Sequence, residues 1–310
     1  MLSRRAFLSK SSVAGGLLLT GGFPFSSFAA RPRKLTILHT NDVHSRLEPF
    51  PPDDKRYAGQ GGVASRAALI NAIRKEEEHV LLLDAGDMLQ GTSYFNLYHG
   101  EPEIKAMSMM GYDAATMGNH DFDAGVEGFA NLLPHATFPI LTANYSFAGT
   151  ALEGKTQPYM VLKKGDIKVG LFGLGVKLKG LVSEESYGKT QYLSPLQVAR
   201  TVSHRLKKSE KCDIIICLSH LGYEYDSVKI SDLILARETE YIDVIIGGHT
   251  HTFLEEPTII KNKQGNDVVI NQVGWGGIRL GRLDFYFDSK KGTKLSSAHS
   301  VIIGKQTSVG

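Results

Sequence analysis

Apolar and polar positions along this chain fall into short blocks that read as strands, separated by longer stretches with helical spacing. Residues 34–40 and 114–117 read as strands. Residues 79–83, 212–218 and 241–246 are continuous apolar runs, the pattern of parallel strands buried on both faces. Residues 138–144 give a further strand, and 159–162 with 167–174 form a hairpin turned at Lys163-Lys164-Gly165-Asp166. Between them, residues 63–75 place Val63, Ala67, Ile70 and Ile73 on one helical face, with Arg74 closing the turn. Residues 103–110 and 126–133 also read as helices, and Thr92 or Ser93 can cap another. Ser194-Pro195 opens a helix that runs to about residue 208. Met107, Met109 and Met110 read as core filler, and residues 175–191 as irregular. From Val268 onward alternating strands with glycine turns take over, including residues 283–287. Strands interleaved with helices, with no repeat or linker, predict one α/β domain over residues 31–310.

Five of the strand-like runs end in polar clusters for which a strand core has no use. These are Asn41-Asp42-Val43-His44, Gly86-Asp87, Gly118-Asn119-His120-Asp121-Phe122-Asp123, Ser219-His220 and Gly247-Gly248-His249-Thr250-His251. In open α/β sheets the ligand crevice lies outside the carboxyl ends of the strands, so the clusters converge in space. Strand alternation continued past the apolar run turns Asp42 and His44 the same way, and likewise His249 and His251. Gly86 lets the backbone turn sharply before Asp87, and the Gly247-Gly248 pair permits close approach. Each cluster alone has a plainer reading: a surface pair at a strand exit, a helix cap at Asp87 or Asp123, a satisfied polar histidine. Their recurrence favours a site.

Composition narrows the class. Arg4-Arg5, the mild apolar run over 13–19 and Ser27-Phe28-Ala29-Ala30 have the form of a twin-arginine export signal cleaved near Ala29 or Ala30. This predicts a folded protein exported to the periplasm or another extracytoplasmic space. The apolar run is shorter than the roughly 18 residues of a membrane span. Without residues 1–29 the formal charge falls from +3 to zero, with 32 basic residues facing 32 acidic ones, and no basic footprint for nucleic acid remains. The two cysteines, Cys212 and Cys217, lie five apart in one predicted strand, which places them on opposite faces as core residues. Trp275, in a glycine turn, reads chiefly as packing.

The ordered set Asp42-x-His44, Gly86-Asp87, Gly118-Asn119-His120-Asp121, His220 and Gly248-His249-Thr250-His251 resembles the signature of the calcineurin-like metallophosphoesterases. The flanking Phe122-Asp123 and Gln272-x-Gly274-x-x-Gly277-x-x-Leu280-Gly281 resemble the 5'-nucleotidase branch more closely than others. The resemblance implies a four-layer α/β/β/α sandwich of two mixed sheets. It also implies two divalent ions, one held by Asp42, His44, Asp87 and His251, the other by Asp87, Asn119, His220 and His249, with Asp87 bridging. Carboxylates, neutral imidazoles and an amide oxygen without a thiolate suit manganese, iron or zinc. Two ions about 3.5 to 4 Å apart can share a hydroxide and clamp phosphoryl oxygens. His120 would then donate a proton to the leaving oxygen, with Asp123 orienting it and raising its pKa. The implied substrates are small phosphate monoesters of the nucleotide type. A 2',3'-cyclic phosphodiesterase, a thiosulfate or sulfur-ester hydrolase of the same branch, and a non-catalytic binding module are the alternatives. The complete ligand set and the His120 and Asp123 pair argue against the last. Enzymes of this branch usually carry a C-terminal domain that grips the base. The expectation here is similar, modest efficiency on nucleotides and simple esters, or a separate polypeptide that supplies that domain.

Overall fold

The computed structural model describes residues 33–288 and 292–304. The expected export segment and cleavage near Ala29 or Ala30 lie outside the described residues. In chain order, β1 (Arg33–Thr40), α1 (Val63–Glu76) and β2 (Val80–Asp84) are followed by α2 (Ser93–Tyr98), α3 (Glu101–Met110) and β3 (Ala114–Thr116). A 3₁₀ turn (His120–Phe122) leads to α4 (Gly125–Leu132), β4 (Ile140–Leu141), β5 (Tyr145–Ser146), β6 (Tyr159–Lys164) and β7 (Ile167–Leu174). Next come α5 (Glu184–Tyr187), β8 (Gln191–Tyr192), α6 (Pro195–Lys208), β9 (Ile214–Ser219), α7 (Asp232–Glu238) and β10 (Val244–Gly247). The last strands are β11 (Thr258–Lys261), β12 (Asp267–Asn271), β13 (Arg279–Asp288) and β14 (Gly292–Ile302).

Two six-stranded sheets result, ordered β14-β13-β1-β2-β3-β4 and β11-β12-β10-β9-β7-β6. Strands β1 to β4 run parallel, as do β7, β9, β10 and β12, while β13, β14, β6 and β11 pair antiparallel, so both sheets are mixed. Strand alternation builds the layers. Leu35, Ile37, Leu81 and Leu83 of the first sheet meet Val169, Ile214, Ile216 and Ile246 of the second in one buried cluster. On the outer face of the first sheet, Leu38 and Leu82 pack with Ile70, Met107 and Phe129 of the helices. Ile215 and Ile245 of the second sheet pack outward with Leu206 and Leu235. The order is therefore helix, sheet, sheet, helix, the sandwich implied above. Each fully buried Leu or Ile contributes about 1.5 to 3 kcal/mol. Among the described residues no helix is long and apolar enough to cross a membrane.

Several local expectations hold. The Thr92 side chain caps α2 by accepting from the Tyr94 amide, and Pro195 occupies the first turn of α6. Others need correction. Met107 and Met110 are buried, but Met109 is 90% exposed, because the helix turns it away from the sheet. Cys212 and Cys217 are both buried and free, yet they join the same outer cluster. β9 begins only at Ile214, so alternation does not reach back to Cys212. Asp123 is not a helix N-cap, since Ala124 occupies that position for α4; it closes the 3₁₀ turn at its C-terminal end instead. Residues 175–191 are not wholly irregular either: Ser183 accepts from the Ser186 amide at the start of α5.

Candidate metal centre

The parallel strands β1, β2, β3, β9 and β10 end on one edge of the two sheets, and each releases a polar loop there. Two groups of ligand atoms form at this edge: Asp42, His44 and His251, and Asp87, His220 and His249. Within each group the ligand atoms lie within 4.8 Å of one another. His44 Nε2 and His251 Nε2 face each other at 2.9 Å, and Asp42 Oδ1 is 3.5 Å from His251 Nε2. In the second group His220 Nε2 is 3.0 Å from Asp87 Oδ2. The same Asp87 oxygen is 3.9 Å from His44 Nε2, so Asp87 faces both groups.

Backbone contacts set the ring orientations. Ala85 O lies 2.7 Å from His220 Nδ1, and Gln90 O lies 3.2 Å from His44 Nδ1. A carbonyl can only accept, so each Nδ1 carries a proton and each Nε2 faces the centre. Asp42 accepts from the His249 amide at 3.0 Å on both oxygens, and Asp87 Oδ1 accepts from the His120 amide at 2.7 Å. Gln272 fastens the histidine loop, donating to Gly248 O at 2.8 Å and accepting from the Thr252 amide. Asn41 ties the β1 exit to the β12 exit by accepting from the Val273 amide at 3.0 Å.

Close approach requires glycine at two points. A Cβ on Gly118 would stand 2.2 Å from Asp87 Oδ1, and one on Gly248 would stand 2.8 Å from His220 Nδ1. Asp121 accepts from the backbone amides of Asp87, Leu89 and Gly118, and so clamps the β2 and β3 exits together. The sequence reading gave it no role. A carboxylate three residues after Gly118, inside a tight turn, was the available signal. Burial and the neighbouring Asp87 charge push the Asp121 carboxyl up to about 8.

Strand alternation does not account for this grouping. Asp42, His44, His249 and His251 sit beyond the strand ends at φ 50°, 53°, 75° and 52°, in left-handed turns where alternation has no meaning. His249 and His251 accordingly point to different groups. Burial opposes charge on Asp87 and His220, but their proximity wins: the Asp87 carboxyl is held below its ordinary range and the His220 imidazole above. Burial lowers His249 to about 4, so it is neutral.

The residues fit a pair of divalent ions. Asn119 Oδ1 is buried with no hydrogen-bond partner, which a native interior rarely tolerates and a metal would relieve. Donors of carboxylate, imidazole and amide type suit first-row dications. At the rim, outside both groups, His120 Nδ1 is 2.8 Å from Asp123 Oδ2, and the His120 ring stands edge-on 5.2 Å from that of His44. That hydrogen bond raises the His120 pKa, against partial burial. Trp275 both packs and reaches the site: it stacks on His251 at 5.9 Å and meets Phe50 edge-on at 5.5 Å.

The sheet-on-sheet sandwich thus carries two groups of potential metal ligands at its carboxyl edge. The calcineurin-like phosphoesterase family matches residues 35–253, and the chain belongs to that family. It is 36% identical to a snake venom 5'-nucleotidase of Gloydius brevicauda over 94% of this chain and 52% of that protein. Against the 5'-nucleotidase of Bos taurus it is 36% identical, over 89% of this chain and 50% of that one. The crystal structure of a 5'-nucleotidase precursor from Thermus thermophilus superposes with a TM-score of 0.80 at 33% identity, covering 87% of this chain and 55% of that one. The chain thus spans about half the length of the curated relatives it matches.

Proposed function

We propose that this chain is an exported dinuclear-metal phosphoesterase that hydrolyses phosphate monoesters, chiefly of the nucleotide type. The reading rests above all on Asp87, which faces both ligand groups while its Oδ1 is held by the His120 amide. Asp42, His44, Asp87 and His251 would hold one ion, and Asp87, Asn119, His220 and His249 the other. When bound, the ions supply Lewis acidity toward the phosphoryl oxygens and acidify the attacking water. His120 presents its Nε2 proton to the leaving oxygen, because Nδ1 is committed to Asp123. Asp123 holds the ring at that angle and favours its protonated form. No serine or cysteine nucleophile is required.

Relatives that are 5'-nucleotidases support the nucleotide class. The proposal extends to export by the twin-arginine route. Phosphate release from the metal-loaded chain, measured on a nucleoside monophosphate, the matching sugar phosphate, a 2',3'-cyclic nucleotide and a thiosulfate ester, tests the reading. Similar, modest kcat/KM is expected for the first two. Failure on all phosphate esters contradicts the phosphoesterase reading.

A further inference from the structure

The imidazoles of the two ligand groups are not held alike. Backbone carbonyls lie against Nδ1 of His44 and of His220, but among the described residues no such carbonyl meets His249 or His251. His249 is half-buried, with its ring 5.3 Å from that of His220. The His251 side chain is 41% exposed, against 10% for His44 and 0% for Asp42 in the same group. An exposed imidazole with no acceptor at Nδ1 has little to fix its orientation, and the orientation of a ligand governs how well it holds an ion.

The His251 ring is met instead by the indole of Trp275, the only tryptophan of the chain. The ring centroids are 5.9 Å apart and the planes within 15° of parallel, a stacked pair. Behind it the indole is fixed by other rings: buried Phe50 stands edge-on at 5.5 Å and Tyr57 edge-on at 6.3 Å. The Arg46 guanidinium covers the Phe50 ring at 4.1 Å in turn. The backbone on either side of Trp275 is tied to both ligand loops. The Gly274 amide donates to Thr252 O at 2.9 Å, next to His251, and the Gly276 amide donates to Asp42 O at 2.7 Å. Among the described residues the indole meets the ring of His251 but not that of His220 or His249. A flat side chain on a rigid loop therefore leans on one ligand of one group.

We propose that Trp275 is a positioning residue: its indole holds the His251 ring in place and so sets how tightly the ion of the Asp42, His44 and His251 group is retained. The other ion, beside buried His220, does not depend on it. Burial and a carbonyl steady the closed site, whereas ring stacking steadies the open one. This assignment rests on the reading of the centre as a two-ion site.

The test titrates the metal-free full chain with cobalt(II) alone, counts bound ions by equilibrium dialysis and records the emission of Trp275 in parallel. Wild type should bind about two ions. In Trp275→Ala one ion should bind about tenfold more weakly, the low end of what losing a partner that orients a metal ligand costs, and the other as in wild type. Trp275→Phe keeps an aromatic face and should lie close to wild type. Tyr57→Ala removes a ring of the same cluster that meets Trp275 and Phe253 but not His251, so both ions should bind as in wild type. In Asn119→Ala, which weakens the other ion, cobalt held at His251 should still quench the indole stacked on it. Unchanged affinity for both ions in Trp275→Ala, an equal loss at both, or no rescue by Trp275→Phe would overturn the assignment. So would a matching loss in Tyr57→Ala, or unquenched emission in Asn119→Ala. Should Trp275→Ala fail to fold, Trp275→Leu, which keeps apolar bulk against Phe50 without an aromatic face, is compared with Trp275→Phe in its place. Wild type that binds no cobalt would sink the two-ion reading and the assignment with it. Two ions bound alike by wild type and Trp275→Ala would sink the assignment alone.

Discussion

Replacing His120 with alanine separates proton donation from metal holding. The side chain is 36% exposed and belongs to neither ligand group, so its loss should leave the fold and the bound metal intact. What is lost is a proton donor, and general-acid contributions run from about 10²- to 10⁴-fold. An alkyl phosphate, whose leaving oxygen is strongly basic, should show that loss. An aryl phosphate with an acidic phenol should lose far less. Asp123→Asn then probes the positioning partner. The 2.8 Å contact survives as a neutral hydrogen bond, weaker than the charge-assisted one by about 1 kcal/mol. The weaker bond lowers the His120 pKa, an effect damped by solvent screening because the Asp123 side chain is 28% exposed. A general acid works only while protonated, so activity declines as pH rises through its pKa. Lowering the pKa therefore moves the declining limb of kcat/KM toward acid. The assay is steady-state kinetics against pH on both ester types, with metal content measured on each variant. Equal losses on alkyl and aryl esters, or an unmoved limb in Asp123→Asn, would refute the acid role.

Gly118→Ala should damage the centre from within: its Cβ would lie 2.2 Å from Asp87 Oδ1 and 2.6 Å from the Asp87 backbone nitrogen, which cannot move independently. Overpacking of this kind costs about 1 to 3 kcal/mol, and elemental analysis should find less metal; wild-type metal content would count against the crowding. Asp121→Ala strands three backbone amides at the β2 and β3 exits. At about 1 to 3 kcal/mol per unmatched donor, urea unfolding should show a loss of roughly 3 kcal/mol or more, and an unshifted midpoint would show that the clamp contributes nothing.

The positions of the site residues were legible because the fold places chemistry where strands end. Runs such as 80–83 and 214–218 are apolar on both faces, so a polar cluster immediately after them stands out. The partition of those residues was less legible. Alternation holds only while the chain is extended, and β1 stops at Thr40 and β10 at Gly247, so the turns alone decide that His249 joins Asp87 while His251 joins Asp42. The same limit explains Cys212, which precedes its strand. Asp121 was visible in its cluster but its role was not, because its partners are backbone amides, which carry no residue signature. The short strands β5 and β8 and the edge strand β11 were also hidden. β5 and β8 are two residues each, and β11 alternates between half-buried and exposed positions, so none forms an apolar run.

The central claim is a pair of divalent ions sharing Asp87, and metal stoichiometry tests it most directly. Elemental analysis of the purified chain, of Asp87→Ala and of Asn119→Ala, each paired with phosphate release, reads the ligand sets separately. The account predicts about two ions per wild-type chain, a larger loss of metal in Asp87→Ala than in Asn119→Ala, and loss of activity in both. Full metal content in Asp87→Ala, equal to wild type, would contradict it.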